Sequence, residues 1–220
     1  INSNHVWGIA KIRADKVWAD YGITGAGIVV GSLDTGVDHT HPDISGQFRG
    51  GPFDFYDAVE DEYVTPFDRH GHGTHTVGTM VGQANSGVSI GVAPGAKWIA
   101  AGAFTSSGGS SDAILRAMDY FVDPDRDPQT DDAPDVVNNS WGSNDGSSET
   151  FRPAIQNWVS LGIFPIFSNG NNGPSLGTVG SPASSPESFG IGSTTEADGI
   201  SSFSSRGPSP ITGEIKPEVS

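Results

Sequence analysis

Apolar runs bounded by turn residues alternate along the chain with segments whose apolar residues return every three or four positions. Residues 27–33 (GIVVGSL) are continuously apolar and β-branched, which predicts a strand buried on both faces. Residues 97–104 (KWIAAGAF), 135–138 (DVVN), 162–167 (GIFPIF) and 189–193 (FGIGS) predict further strands, although Pro165 weakens the fourth. Helical spacing appears over 72–82, 111–122 and 150–161. The second of these places Ile114, Leu115, Met118, Phe121 and Val122 on one face, and the third Phe151, Ile155, Trp158 and Val159. Strands alternating with helices imply a mostly parallel sheet covered by helices on both faces, read here as one α/β domain over residues 1–220. No internal repeat interrupts the pattern. No apolar run approaches the roughly 18 residues of a membrane span.

Composition narrows the function. The 220 residues suit one domain or two small ones, and a chain of that size buries roughly 70% of its unfolded surface without needing disulfides. Lys and Arg number 11 against 26 Asp and Glu, a net charge of −15, and the cations are scattered. Nucleic acid and anionic membrane surfaces are therefore poor partners, because phosphate affinity comes from clustered Lys and Arg. With no cysteine, thiolate nucleophiles, Cys-ligated zinc and disulfides are excluded. The first residues show no basic segment followed by an apolar one, so no signal peptide is expected and the chain reads as cytosolic or as already processed. Residues 123–133 (DPDRDPQTDDA) hold five Asp and two Pro. They read as a solvated acidic loop; their carboxylates suit a hard cation such as calcium, but the central Gly and terminal Glu of an EF-hand loop are absent.

In open α/β sheets, ligands lie beyond the carboxyl ends of the strands. The first strand is followed by Asp34-Thr35-Gly36-Val37-Asp38, the third by Asn139-Ser140-Trp141-Gly142, and the fourth by Ser168-Asn169-Gly170-Asn171-Asn172-Gly173. Between the first two strands, Asp68-Arg69-His70-Gly71-His72-Gly73-Thr74-His75 opens a helix. An Asp that accepts from a His Nδ1–H fixes the tautomer a general base needs and favours the imidazolium formed later. A carboxamide aimed by a Gly-rich turn can donate to a developing oxyanion.

LDTGVD followed by HPD, HGTH opening a helix, NNSWG, NGNNG, SSFSSRGP and KPEV, in that order, resemble the subtilisin-like serine endopeptidases from about Val6 to the end. The resemblance implies that Asp34 orients His72, that His72 is the general base, and that Asn171 lines the oxyanion hole. It implies that Ser140, Trp141 and Gly142 pair with substrate backbone and form one wall of the pocket beside the scissile bond. Ser168, Asn169 and Gly170 would form the other wall, and Ser107, Gly108 and Gly109 an edge for residues further N-terminal in the substrate. Asp43 and Asn85 would ligate a structural calcium. A subtilisin-like α/β fold, a polypeptide substrate, secretion and a removed propeptide also follow from the likeness. One departure stands out. The family nucleophile lies in a GTSMA-type motif downstream of the KPE/D-V segment, and no Gly-Thr-Ser-Met occurs here. The expectation is a C-terminally truncated domain whose serine lies outside these residues, inactive alone, with its own C-terminal segment or propeptide as possible partners.

Other readings compete. His70, His72 and His75, with His39 and His41 nearby, have the look of a zinc set, which would make a metal-dependent hydrolase. Gly173-Pro174-Ser175-Leu176-Gly177 fits the G-x-S-x-G of α/β-hydrolases, but that order needs a later His and none follows His75. A protein that keeps the cleft and binds peptides without cutting them, or an inactive fragment, is the third alternative.

Overall fold

The computed structural model describes residues 5–220. The chain packs as two compact units, one ending at Asp135 and the other formed by Val136–Ser220.

In the first unit, helices α1 (Trp7–Lys11) and α2 (Ala14–Tyr21) precede strand β1 (Val29–Asp34). Strands β2 (Phe55–Asp57) and β3 (Glu62–Tyr63), helix α3 (His72–Val81), strand β4 (Lys97–Gly102) and helix α4 (Ser111–Tyr120) follow. The strand order is β3-β2-β4-β1. β1 runs parallel to β4 from Val29 opposite Lys97 to Asp34 opposite Gly102. β2 is parallel to β4, and only the short β3 is antiparallel to its neighbour. β1 and β4 are buried over nearly their whole length, with Leu33, Trp98, Ile99, Ala100 and Ala101 fully enclosed. That burial on both faces is why their sequences run apolar without alternation.

Helix α3 packs on β1 and β4, and α4 on β1, β2 and β4. The Ser110 hydroxyl caps α4 by accepting from the Ala113 amide at 3.1 Å, satisfying a donor that the first turn cannot. Ile114, Ala117, Met118 and Phe121 form its buried stripe. Leu115 departs from the expectation: it is partly exposed, because one residue past Ile114 turns it about 100° from the stripe and Ala117 takes the inward place.

The second unit holds the parallel strands β5 (Val136–Asn139), β6 (Phe164–Ser168) and β7 (Phe189–Ile191), in that order. Helix α5 (Arg152–Ser160) packs on β6 and buries Ile155 and Trp158, whereas Val159 faces solvent. Pro165 is tolerated as the second residue of β6, ahead of Ile166, where the ladder to β7 begins. Hydrogen bonds stitch together the long loops after β7. Gly207 N donates to Lys216 O at 2.8 Å, and the buried Lys216 ammonium is satisfied by Ser188 O at 2.6 Å and by the Glu218 carboxylate at 2.6 Å.

The α/β class and the mostly parallel strands match the sequence reading, with β1 ending one residue later, on Asp34 itself. The sequence reading did not foresee α1, α2, β2 and β3. No helix among the described residues is long and apolar enough to cross a membrane.

Candidate active site

β1 delivers Asp34 to its carboxyl end with 2% of its surface exposed. α3 begins at His72, and its first turn lies directly against the chain that leaves β1. Two glycines allow this approach. At Gly73 a Cβ would collide with the Gly36 carbonyl oxygen, and at Gly36, whose φ is +104°, a Cβ would collide with the Phe67 carbonyl oxygen. His72 Nδ1 then lies 2.7 Å from Asp34 Oδ1, which also accepts from the Thr35 amide at 2.7 Å. Nδ1 is therefore the protonated nitrogen, leaving Nε2 on a ring that is about half exposed as the available acceptor. Burial pushes the Asp34 carboxyl above its ordinary range, and the hydrogen bond and charge of His72 pull against that shift without reversing it. A base held in one tautomer by a buried carboxylate can take a proton from a hydroxyl and return it to a leaving group.

Ser107, Gly108 and Gly109 form an exposed turn just beyond β4. Thr105 and Gly108 exchange backbone hydrogen bonds at 3.0 and 3.1 Å, and Gly108 adopts φ +106°. Its outward backbone is of the kind an extended peptide can meet.

Asp43 and Asn85 lie in linked loops. Asp43 Oδ1 accepts from the Ser86 amide at 2.7 Å and its Oδ2 from the Ser86 hydroxyl, while Asn85 Nδ2 donates to Pro42 O at 2.7 Å. The Ser86 hydroxyl, chief among these bonds, lowers the Asp43 pKa against the opposing effect of burial. The oxygen donors have the hard character calcium prefers, but both Asp43 oxygens already serve Ser86, so an ion would have to displace it.

Three or more His, Cys, Asp or Glu donors converge, among the described residues, only at Asp123, Asp125 and Asp132. His70, His72 and His75 therefore do not assemble as a zinc set, and His72 Nδ1 is engaged by Asp34. In the acidic loop, Asp125 N donates to Asp132 Oδ2 at 2.9 Å and Thr130 Oγ1 to Asp125 Oδ1 at 3.0 Å, so hydrogen bonds within the loop shape it.

In the second unit, Ser140, Ser168, Asn169, Gly170 and Asn171 line one cavity of about 230 Å³. Ser140 follows β5, and its hydroxyl accepts from Asn138 Nδ2 at 2.9 Å. Ser168 ends β6, after which the loop is sewn to residues 203–206. Asn169 Nδ2 donates to Ser205 O at 2.6 Å, Ser205 N to Gly170 O at 3.0 Å, Asn172 N to Ser205 Oγ at 2.9 Å and Gly173 N to Phe203 O at 2.8 Å. Asn169 is thus buried with its amide nitrogen committed, whereas Asn171 is exposed on a backbone fixed at both sides. Trp141, partly buried, packs edge-on against Phe151 at 5.4 Å and Phe167 at 5.6 Å, which fixes its ring beside the exposed Gly142. The sequence reading gave no role to Thr35, Ser86 or Ser205, each of which holds one of these loops. Small hydroxyl residues are common in loops, and nothing in their spacing marks these three.

The second unit and most of the first, residues 25–220, match the Subtilase family. Bacillopeptidase F of Bacillus subtilis (strain 168) is 43% identical over 97% of this chain, which covers 16% of that protein. Minor extracellular protease Vpr of the same organism is 36% identical over 83% of the chain, covering 22% of its length, and subtilisin E is 32% identical over 91%, covering 49%. The chain thus spans less than half the length of each of these relatives. It belongs to the subtilase family.

Proposed function

We propose that this chain supplies the general base and the oxyanion donor of a serine endopeptidase. The observation that carries the reading is the 2.7 Å bond from His72 Nδ1 to a carboxylate buried at the end of β1. In the second unit an extended polypeptide adds its backbone along Ser140–Gly142 and places one side chain against Ser168–Gly170, and in the first unit the Ser107–Gly109 turn is an edge that receives peptide backbone. A serine hydroxyl attacks the scissile carbonyl, and His72 Nε2 takes its proton. Asn171 donates to the oxygen that becomes negative. His72 then protonates the leaving amine as the carbon–nitrogen bond breaks. Water, activated by His72, hydrolyses the resulting ester. Asp34 holds the imidazole throughout.

Secretion accords with a relative named as an extracellular protease. Calcium fits as a loop-stabilising ion at Asp43 and Asn85. Because it must displace Ser86, binding in the range of roughly 10⁻⁴–10⁻³ M is expected, seen as a rise in melting temperature only at such concentrations.

Peptide hydrolysis by the protein expressed from its full reading frame tests the reading. His72→Ala should lower kcat by roughly 10⁶-fold. Asn171→Ala should lower it about 10²–10³-fold with KM little changed. Saturable peptide binding without hydrolysis would instead establish the non-catalytic alternative.

A further inference from the structure

Asp68 lies four residues before His72 and touches neither that side chain nor Asp34 by any hydrogen bond of its own carboxylate. Both of its oxygens are nonetheless committed around them. Oδ1 accepts from the His70 amide at 2.9 Å, the Gly71 amide at 2.8 Å and the Thr35 hydroxyl at 2.7 Å. Oδ2 accepts from the Thr74 amide at 2.8 Å and from the Thr74 hydroxyl at 2.5 Å.

Gly71, the residue that caps α3, has no side chain to satisfy the amides of the first turn. Asp68 supplies that acceptor from outside the helix, with a negative charge where the helix dipole favours one. The relay continues through Thr35, the neighbour of Asp34. Its hydroxyl donates to Asp68 and accepts from the Gly73 amide at 3.0 Å. Thr74 extends it again, accepting from the Asp38 amide at 2.9 Å. The amides of residues 71, 73 and 74 are thus tied, directly or through Thr35, to one carboxylate, and they flank His72 on both sides. Arg69 anchors the other end of the loop, through its amide to Thr35 O at 3.1 Å and its guanidinium to the buried Asp57 at 2.5 Å.

We propose that Asp68 is the positioning residue for His72, holding the imidazole in register with Asp34 through the Thr35 hydroxyl and the first turn of α3. The proposal rests on the peptidase reading for its kinetic consequence, but its geometric content is separate from turnover.

Asp68→Asn is the main variant. An amide keeps one acceptor oxygen and cannot accept at both ends, so the bond from the Thr74 amide is lost while side-chain volume is kept. Thr35→Val removes the relay hydroxyl at nearly constant shape, and Thr35→Ser restores it. The readout independent of activity is the low-field proton resonance of the His72 Nδ1–H···Asp34 bond in the folded protein. It should weaken or shift in Asp68→Asn and Thr35→Val and return in Thr35→Ser. With peptide substrate, kcat should fall up to about a hundredfold in the first two variants with KM unchanged, the loss expected when a catalytic group is displaced by about 1 Å. Folding of each variant is checked by its cooperative thermal melt. A folded Asp68→Asn, or a folded Thr35→Val should the first not fold, with an unchanged resonance would overturn the proposal. Failure of Thr35→Ser to restore the resonance would do so as well. A wild-type protein without turnover would contradict the peptidase reading, and the resonance would still decide the role of Asp68.

Discussion

Burial acts on two carboxylates of the same strand–loop junction with opposite outcomes. Asp34 has its pKa raised, burial outweighing the help from His72 and the Thr35 amide. Asp68 also feels burial as its largest influence, but the Thr74 hydroxyl, the His70 and Gly71 amides and the Thr35 hydroxyl together bring it below the ordinary range. The stability consequences therefore have opposite signs. The contribution of Asp34 is fully present below its unfolded pKa and is lost as pH rises through the folded value. The contribution of Asp68 is present above its unfolded pKa, about 3.9, and is lost as pH falls through the folded value. Asp34→Asn should accordingly remove the loss of stability that the wild type shows as pH rises through the folded Asp34 value, while lowering kcat about 10⁴-fold by allowing the wrong imidazole tautomer. Asp68→Asn should flatten the acid limb of the stability curve. Melts of both variants from pH 3 to 8 check the signs, and a folded Asp34→Asn whose stability falls with rising pH as steeply as that of the wild type would contradict the first.

Elements bring these residues together through close backbone approach, and Gly73 is where the approach is tightest. Gly73→Ala places a methyl group against the Gly36 carbonyl, with the Asp34 Cβ also nearby. We expect a loss of about 1–3 kcal/mol in urea unfolding together with reduced kcat, since the strand and the helix must part where Asp34 and His72 meet. An unchanged midpoint and activity would mean the junction is looser than described. Much of this level was legible in the sequence. β1 and β4 are enclosed on both faces, and that condition writes a continuous apolar run. The short elements left no such trace: β2 has three residues, β3 two and α1 five, too few for a period to show. Leu115 and Val159 are apolar yet lie beside the buried stripes of their helices, so apolar character near the stripe does not by itself fix an inward place. The pairing of His72 with Asp34 was legible through ordered motifs. Asp68 stood in one of those motifs, but its role lies in amide hydrogen bonds that no side-chain spacing reveals.

At the scale of the whole molecule, a net charge of −15 makes the folded chain repel itself. Screening should therefore stabilise it. The melting temperature is expected to climb as sodium chloride rises from about 0.01 to 1 M and the Debye length shrinks from about 30 to 3 Å, and a flat response would show that self-repulsion does not limit stability. Family membership and the Asp34–His72 pair support the central proposal, that the protein activates a serine through His72. Covalent labelling tests it most directly. The protein expressed from its full reading frame is treated with a fluorophosphonate, and the modified residue is located by mass spectrometry in the wild type and in His72→Ala. The account expects a single serine to be labelled rapidly in the wild type and almost not at all in the variant. No labelling of the folded wild type, or equal labelling in His72→Ala, would contradict it.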